Sequence, residues 1–236
     1  MTDAGDDLRQ ELATFSTPSI ANGIETFEVR PRDEGFMDGS IRCRFPGLGP
    51  VVGYAATARI RATAKDQGDR LNSSELWRHV LSVPAPRIVV VEDLDEPSGL
   101  GSFWGEVNGN VFRALGCSAV VTNGGVRDLV EMEALGFQAF SSRICVSHAY
   151  VRVVEVGQPI TVGGLEVRPG DLLHGDRHGI VSIPISIAAE LPAAVRAIEL
   201  AERDTIGFCQ SSEFSLDGLI ARDRARGGAH GGEVKH

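Results

Sequence analysis

Two short runs constrain this chain more than any other feature. Residues 87–93 (RIVVVED) and 117–122 (CSAVVT) are apolar, rich in β-branched side chains and nearly free of polar alternation. A strand with one wet face alternates, whereas a strand covered on both faces does not. Segments 106–115 and 126–135 carry helical spacing, and 138–141 reads as a third strand, so the stretch predicts a βαβαβ core with a parallel sheet.

The flanks add antiparallel material. Residues 3–15 and a segment from Thr17-Pro18, with a hydroxyl cap and proline at the first helical position, predict two helices, and 30–50 reads as an irregular excursion. A strand is expected over 51–64 and a helix over 72–81, where Asn72 and Glu75 have capping-box spacing. Segments 151–156 and 159–167 alternate around Gly157 and around Gly163-Gly164, which predicts hairpins, and β structure continues over 172–183. A long helical pattern over 185–210, interrupted at Pro192, precedes another helix over 212–222. The expectation is one α/β domain over residues 1–225 with a mixed, layered sheet, and a disordered tail over 226–236.

Composition narrows the function classes. With 23 Lys plus Arg against 32 Asp plus Glu, the net charge of −9 repels phosphate backbones and anionic lipid, so neither nucleic acid nor a membrane is an expected partner. Cys43, Cys117, Cys145 and Cys209 form no CxxC pair, which predicts reduced, mostly buried thiols and a cytoplasmic location. The first twelve residues are acidic and polar, unlike a secretory leader, and no apolar run approaches the roughly 18 residues of a membrane span.

In open α/β sheets, ligands bind beyond the carboxyl ends of the parallel strands. Two exits matter here: 99–106 (GLGSFWGE) and 122–128 (TNGGVRD). If their strands are neighbours, both open onto one crevice, where glycine-freed amides and Arg127 suit an anion, and Glu106 and Asp128 suit a divalent cation. Each feature also has a plain structural explanation. Gly99-x-Gly101 lacks the third glycine of a dinucleotide fingerprint, since Trp104 stands there, Gly124-Gly125 suits a simple turn, Arg127-Asp128 a solvated pair, and Glu106 a helix start.

The stretch 104–128, WGEVNGNVFRALGCSAVVTNGGVRD, resembles the signature of the family containing 4-hydroxy-4-methyl-2-oxoglutarate aldolase and the regulator of ribonuclease activity A: an acid, twenty residues, then Arg-Asp. Trp104-Gly105, Ala114, Gly116 and the glycine-rich turn before Arg127 carry the likeness, and a weaker similarity runs from Thr17 to Pro184. The resemblance implies a layered α/β/β/α fold assembling as a trimer or hexamer. For the aldolases it implies Mg²⁺ or Mn²⁺ held by Asp128 and waters, with Glu106 a catalytic residue that orients a metal-bound water as proton donor or acceptor, and Arg127 binding the pyruvyl unit. The amides of Val107 and Asn108 would take the substrate carboxylate. An acid from a neighbouring subunit's C-terminal helix would complete the site, with Glu202 the candidate and Glu199 next.

The implied activity is metal-dependent carbon–carbon cleavage of a 2-oxo acid, by retro-aldol release of pyruvate, decarboxylation of oxaloacetate, or both. The alternative is a non-catalytic regulatory binding protein, since the family contains a ribonuclease regulator; retention of Glu106, Arg127 and Asp128 favours the enzyme. A methyltransferase is disfavoured because no glycine-rich adenosylmethionine loop follows the first core strand. The chain departs from the family at Asn123, where many members have Asp, and over 141–150 (SSRICVSHAY). His148, Tyr150, His174 and His178 could therefore line an altered pocket or be ordinary structural residues, and His148 is the best candidate for the pocket. Lys65 and Lys235 are the only lysines, one at a strand end and one in the tail, which disfavours a Schiff-base aldolase.

Overall fold

The computed structural model describes residues 4–63 and 70–227. Lys65, Lys235 and residues 228–236 of the expected tail lie outside the described residues, while residues 226 and 227 of that tail end a helix. Strands β1 (Arg42–Cys43), β2 (Val51–Arg61), β3 (Arg87–Asp93), β4 (Cys117–Val126) and β5 (Gln138–Ile144) precede β6 (Arg152–Val156), β9 (Leu172–Asp176) and β10 (Gly179–Ile183) in one large mixed sheet. Its order is β1-β5-β4-β3-β2-β9-β10, with β6 also paired to β2. Strands β2, β3, β4 and β5 run parallel, as the apolar runs predict, and β1, β6 and β9 join antiparallel. A separate hairpin, β7 (Ile160–Val162) and β8 (Leu165–Val167), turns at Gly163-Gly164, where both residues have positive φ.

Strand β3 shows why unbroken apolar runs were needed. Val89 and Val91 face the helical layer formed by α3 (Ser73–Ser82), α4 (Glu106–Ala114) and α5 (Leu129–Ala134), against Leu76, Val80, Phe112 and Met132. Ile88 and Val90 face the other way, onto Ile160, Val162, Leu165 and Val167 of the hairpin. Both sides are buried, so no polar alternation is tolerated. A third cluster packs α1 (Ala4–Leu12), α2 (Thr17–Glu25) and the start of α6 (Leu191–Gln210) on β9 and β10. Of α6 only Leu191, Pro192 and Val195 are buried, and α7 (Leu216–Gly227) follows.

Three sequence expectations need correction. Gly157 makes no hairpin: β6 leaves it to pair with β2, and the turn serves an entry into β7. Pro192 does not interrupt a helix but opens α6, where a missing amide costs nothing. The 123–126 stretch, read as turn and helix start, belongs to β4, with a register irregularity between Thr122 and Gly125. Of the cysteines, Cys117 alone is fully buried; all four are free thiols and Cys209 is exposed.

Two histidines are structural. His174 is fully buried, with Nδ1 2.9 Å from the Thr17 hydroxyl and Nε2 3.2 Å from the Leu12 carbonyl, so it ties both N-terminal helices to β9. His79 accepts the β2 amide of Thr57 through Nε2 at 3.2 Å. Burial lowers the pKa of both, outweighing the opposing influence of Asp176 and nearby carbonyls on His174. The unfolded chain, with histidines near 6.5, therefore takes up protons before the folded one, so stability present above that pH is lost as the pH falls below it. Calorimetry should find a lower Tm at pH 5.5 than at 7.5. His79→Gln, which can keep the acceptor without titrating, should flatten the decline; an unchanged slope would remove His79 from this account.

Candidate active site

The two strand exits meet because β3 and β4 are parallel neighbours. Their carboxyl ends are clamped by side chains. The Asn123 amide group accepts the Asp93 N–H at 2.7 Å and donates to the Asp93 carbonyl at 2.9 Å. An aspartate there could not donate, which gives the Asn123 departure a structural reason. Asp93, raised in pKa by burial while the Gly99 and Asp95 amides oppose the shift, accepts those amides at 2.7 and 3.0 Å and shapes the exit loop. The Ser102 hydroxyl lies 2.5 Å from the Trp104 carbonyl and 2.8 Å from that of Gly125, pinning the loop to β4.

That loop delivers Trp104, 1% exposed, into a cluster with Phe103, Phe112 and Phe137, with ring centroids 5.3, 4.9 and 6.0 Å away. Its carbonyl accepts the Arg127 amide at 3.2 Å, so the motif's two ends are joined through backbone. Next comes Gly105, so close to Asp128 that an added Cβ would lie 2.4 Å from Oδ2. This glycine is required by proximity and not by conformation, since its φ of −173° is ordinary extended backbone. The approach lets the Glu106 amide donate to Asp128 Oδ2 at 3.0 Å.

Asp128 precedes α5 but does not cap it; its φ and ψ of 52° and 49° are left-handed, and the carboxylate turns toward α4 instead. Such a conformation costs a non-glycine residue about 1–3 kcal/mol and concentrates at functional sites. Arg127 Nε stands 3.6 Å from Asp128 Oδ2, and both side chains are about one third exposed. The start of α4 carries no side-chain cap, so the amides of Val107 and Asn108 in its first turn have no intrahelical acceptor.

A pocket of about 300 Å³ opens over this constellation. Val107, Asn108, Arg127, Asp128 and His148 line it, as the sequence suggested. Glu106 does not: its side chain is exposed and only its amide joins the site. Tyr150, His174 and His178 are absent from the wall; His174 is core, and His178 bonds Asp176 at 3.1 Å. Glu202 is exposed on α6, and Glu199, partly exposed, borders a different depression with Phe15 and Arg196. Sequence reasoning missed Arg70, Trp77 and Arg152, which also line the pocket. Trp77 had a signal: it stands off the Leu76–Val80 stripe of α3 and is 38% exposed.

Among the described residues no three His, Cys, Asp or Glu side chains converge as a metal cage. Asp128 does fit one kind of ion. Its Oδ2 accepts the Glu106 amide, while Oδ1 has no hydrogen-bond partner among the described residues, and a small hard dication that keeps most of its waters needs only one or two carboxylates.

The fold and this crevice define a mixed α/β protein whose site is built from an acid-spacer-Arg-Asp motif across two parallel strand exits. The chain belongs to the RraA-like family, described as aldolase/RraA, whose model matches residues 17–182. A protein of Halalkalibacterium halodurans, provisionally named a 4-hydroxy-4-methyl-2-oxoglutarate aldolase, is 33% identical over 73 residues, 30% of this chain and 35% of that protein. The chain spans about a third of the length of the first curated relatives it matches. Among solved structures, an uncharacterised Pseudomonas syringae protein superposes with a TM-score of 0.71 at 22% identity, covering 93% of this chain and 95% of that one. Streptomyces coelicolor RraAS2, described as an unusual member of the RNase ES inhibitor RraA family, gives a TM-score of 0.67 at 21% identity over 86% of this chain and 96% of its own. These two likenesses concern the fold. No helix of the described residues is long and apolar enough to cross a membrane.

Proposed function

We propose that this protein is a divalent-metal-dependent carbon–carbon lyase acting on 2-oxo acids, by retro-aldol cleavage of a 4-hydroxy-2-oxo acid to release pyruvate, by decarboxylation of oxaloacetate, or by both. The observation that carries the reading is the convergence of Arg127 and strained Asp128 on one pocket beside the first turn of α4, which has no side-chain cap. Asp128 is the residue to hold Mg²⁺ or Mn²⁺ directly; the Glu106 carboxylate, which lies outside the pocket wall, would reach the ion only through an intervening water. Glu202 or Glu199 of a neighbouring subunit would add an acid in a trimer or hexamer. Once bound, such an ion supplies Lewis acidity toward the substrate carbonyl.

The chain's own groups do the rest. The Val107 and Asn108 amides, at the positive end of a helix, receive the substrate carboxylate. The Arg127 guanidinium stabilises negative charge developing on the 2-oxo oxygen as the C3–C4 bond breaks. Arg70 and Arg152 add positive charge to the same pocket in a chain of net charge −9, which favours substrates with a second carboxylate.

Pyruvate release should be measured over 4-hydroxy-2-oxo acids and oxaloacetate, before and after chelation and with Mg²⁺ or Mn²⁺ restored. Activity is expected to vanish on chelation and return with the metal. Arg127→Lys keeps the charge but loses the planar fork, and should lower kcat at least about tenfold, or about 1.4 kcal/mol. Full activity without metal, or wild-type kcat in the lysine variant, would overturn the mechanism. The regulatory-binder alternative instead expects no pyruvate under any condition.

A further inference from the structure

Retro-aldol cleavage needs a base for the C4 hydroxyl proton and an acid for carbon C3, and the motif residues supply neither within the pocket. Arg70, Arg127 and Arg152 line it with guanidinium groups that only donate, Asp128 is assigned to the metal ion, and the Glu106 side chain is off the wall. The remaining lining side chain that can both accept and return a proton is the imidazole of His148.

Its geometry suits the task. Nδ1 lies 2.7 Å from the carbonyl of Ala149, so it carries the hydrogen and leaves Nε2 with a free lone pair. The segment bearing it is held in place. Ala149 takes a left-handed φ of 45° with its amide donating to the Ser147 hydroxyl at 2.9 Å, and the Val151 amide returns to the His148 carbonyl at 3.1 Å. The Ser102 amide donates to the Ser147 carbonyl at 2.9 Å, and Gly101 packs so tightly that an added Cβ would lie 2.5 Å from the His148 oxygen. The loop carrying Trp104 and Gly105 is thus docked on the segment carrying His148, which couples the imidazole's position to the motif.

We propose that His148 is the general base and then the general acid of the cleavage, an inference that rests on the lyase reading. Nε2 takes the C4 hydroxyl proton, the oxygen's electron pair forms the new C4 carbonyl, and the C3–C4 bond breaks to leave the pyruvate enolate, with Arg127 facing its oxygen. The imidazolium returns that proton to C3, giving pyruvate and the neutral imidazole it began with. Decarboxylation of oxaloacetate has no hydroxyl to deprotonate, and its enolate can take a proton from water.

The two reactions therefore separate the role. In His148→Ala, retro-aldol kcat should fall about a hundredfold, within the usual reach of acid–base catalysis, while decarboxylation falls at least tenfold less. Added imidazole should restore the aldol activity and leave decarboxylation unchanged. The residue is exposed, so the fold should survive, as circular dichroism would check. If both reactions fall together, if neither falls, or if imidazole restores nothing, His148 is not the base although the lyase reading stands. A wild-type protein inert toward both substrate types with either metal overturns the lyase reading, and this role with it.

Discussion

Replacing Gly105 with alanine is expected to lower pyruvate release at least about a hundredfold, equivalent to about 2.7 kcal/mol of transition-state stabilisation, in a chain that still folds. Alanine accepts the extended backbone at this position, so the penalty is contact alone. The methyl group would lie 2.4 Å from Asp128 Oδ2, 3.2 Å from its Cγ and 3.3 Å from Arg127 Cγ. A long side chain could swing aside; a carboxylate one methylene from a left-handed backbone cannot do so without abandoning the Glu106 amide. Both motif residues would move together, and with them the proposed metal ligand and the proposed enolate partner. The fold should tolerate this, because Arg127 and Asp128 are each about one third exposed and little core depends on them. Kinetics and metal titration on Gly105→Ala, beside circular dichroism, test the claim. Wild-type kcat with unchanged metal affinity would show that the Asp128 carboxylate position does not matter to the chemistry.

Trp104→Ala should destabilise the protein by about 3–5 kcal/mol, the range for truncating a fully buried large aromatic residue. Its ring is 1% exposed, edge-on to Phe103, 4.9 Å from Phe112 and stacked with Phe137 from the far end of α5. Removing it leaves a cavity beneath the very loop that carries Gly105. Trp104→Phe should cost far less, since it keeps most of the ring contacts and removes a buried indole N–H that has no partner among the described residues. Denaturant unfolding should place the phenylalanine variant well above the alanine variant. Equal midpoints would mean that the aromatic cluster contributes little.

Much of this architecture was readable from residue pattern because the pattern had one physical cause. The 87–93 run had to be covered on both faces, and it is, by helices on one side and the β7–β8 hairpin on the other. The capping box of Asn72 and Glu75 forms as expected, since both partners are local. What failed was non-local. Whether the strand before Gly157 turns back on its successor or inserts beside β2 depends on which edge is open, and residues 151–156 do not say. The helix expected from Val126 begins three residues later, because Gly124 and Gly125 are held in the sheet by Asn123 and Ser102. At the site, the motif located Arg127 and Asp128 and the divergent segment located His148. Spacing alone could not tell that Glu106 contributes an amide while its carboxylate faces solvent. Arg70 and Arg152 were invisible for a simpler reason: they reach the pocket from α3's approach and from β6, neither adjacent to the motif in sequence.

At Asp128 stability and proposed function pull in opposite directions. Glycine or asparagine would relax the left-handed backbone ahead of α5. Heat selection on a library of variants, without a screen for turnover, would enrich those two residues there and discard the carboxylate. A thermostabilised descendant of this chain should therefore be judged by what it retains at position 128 before its melting temperature is counted as an improvement.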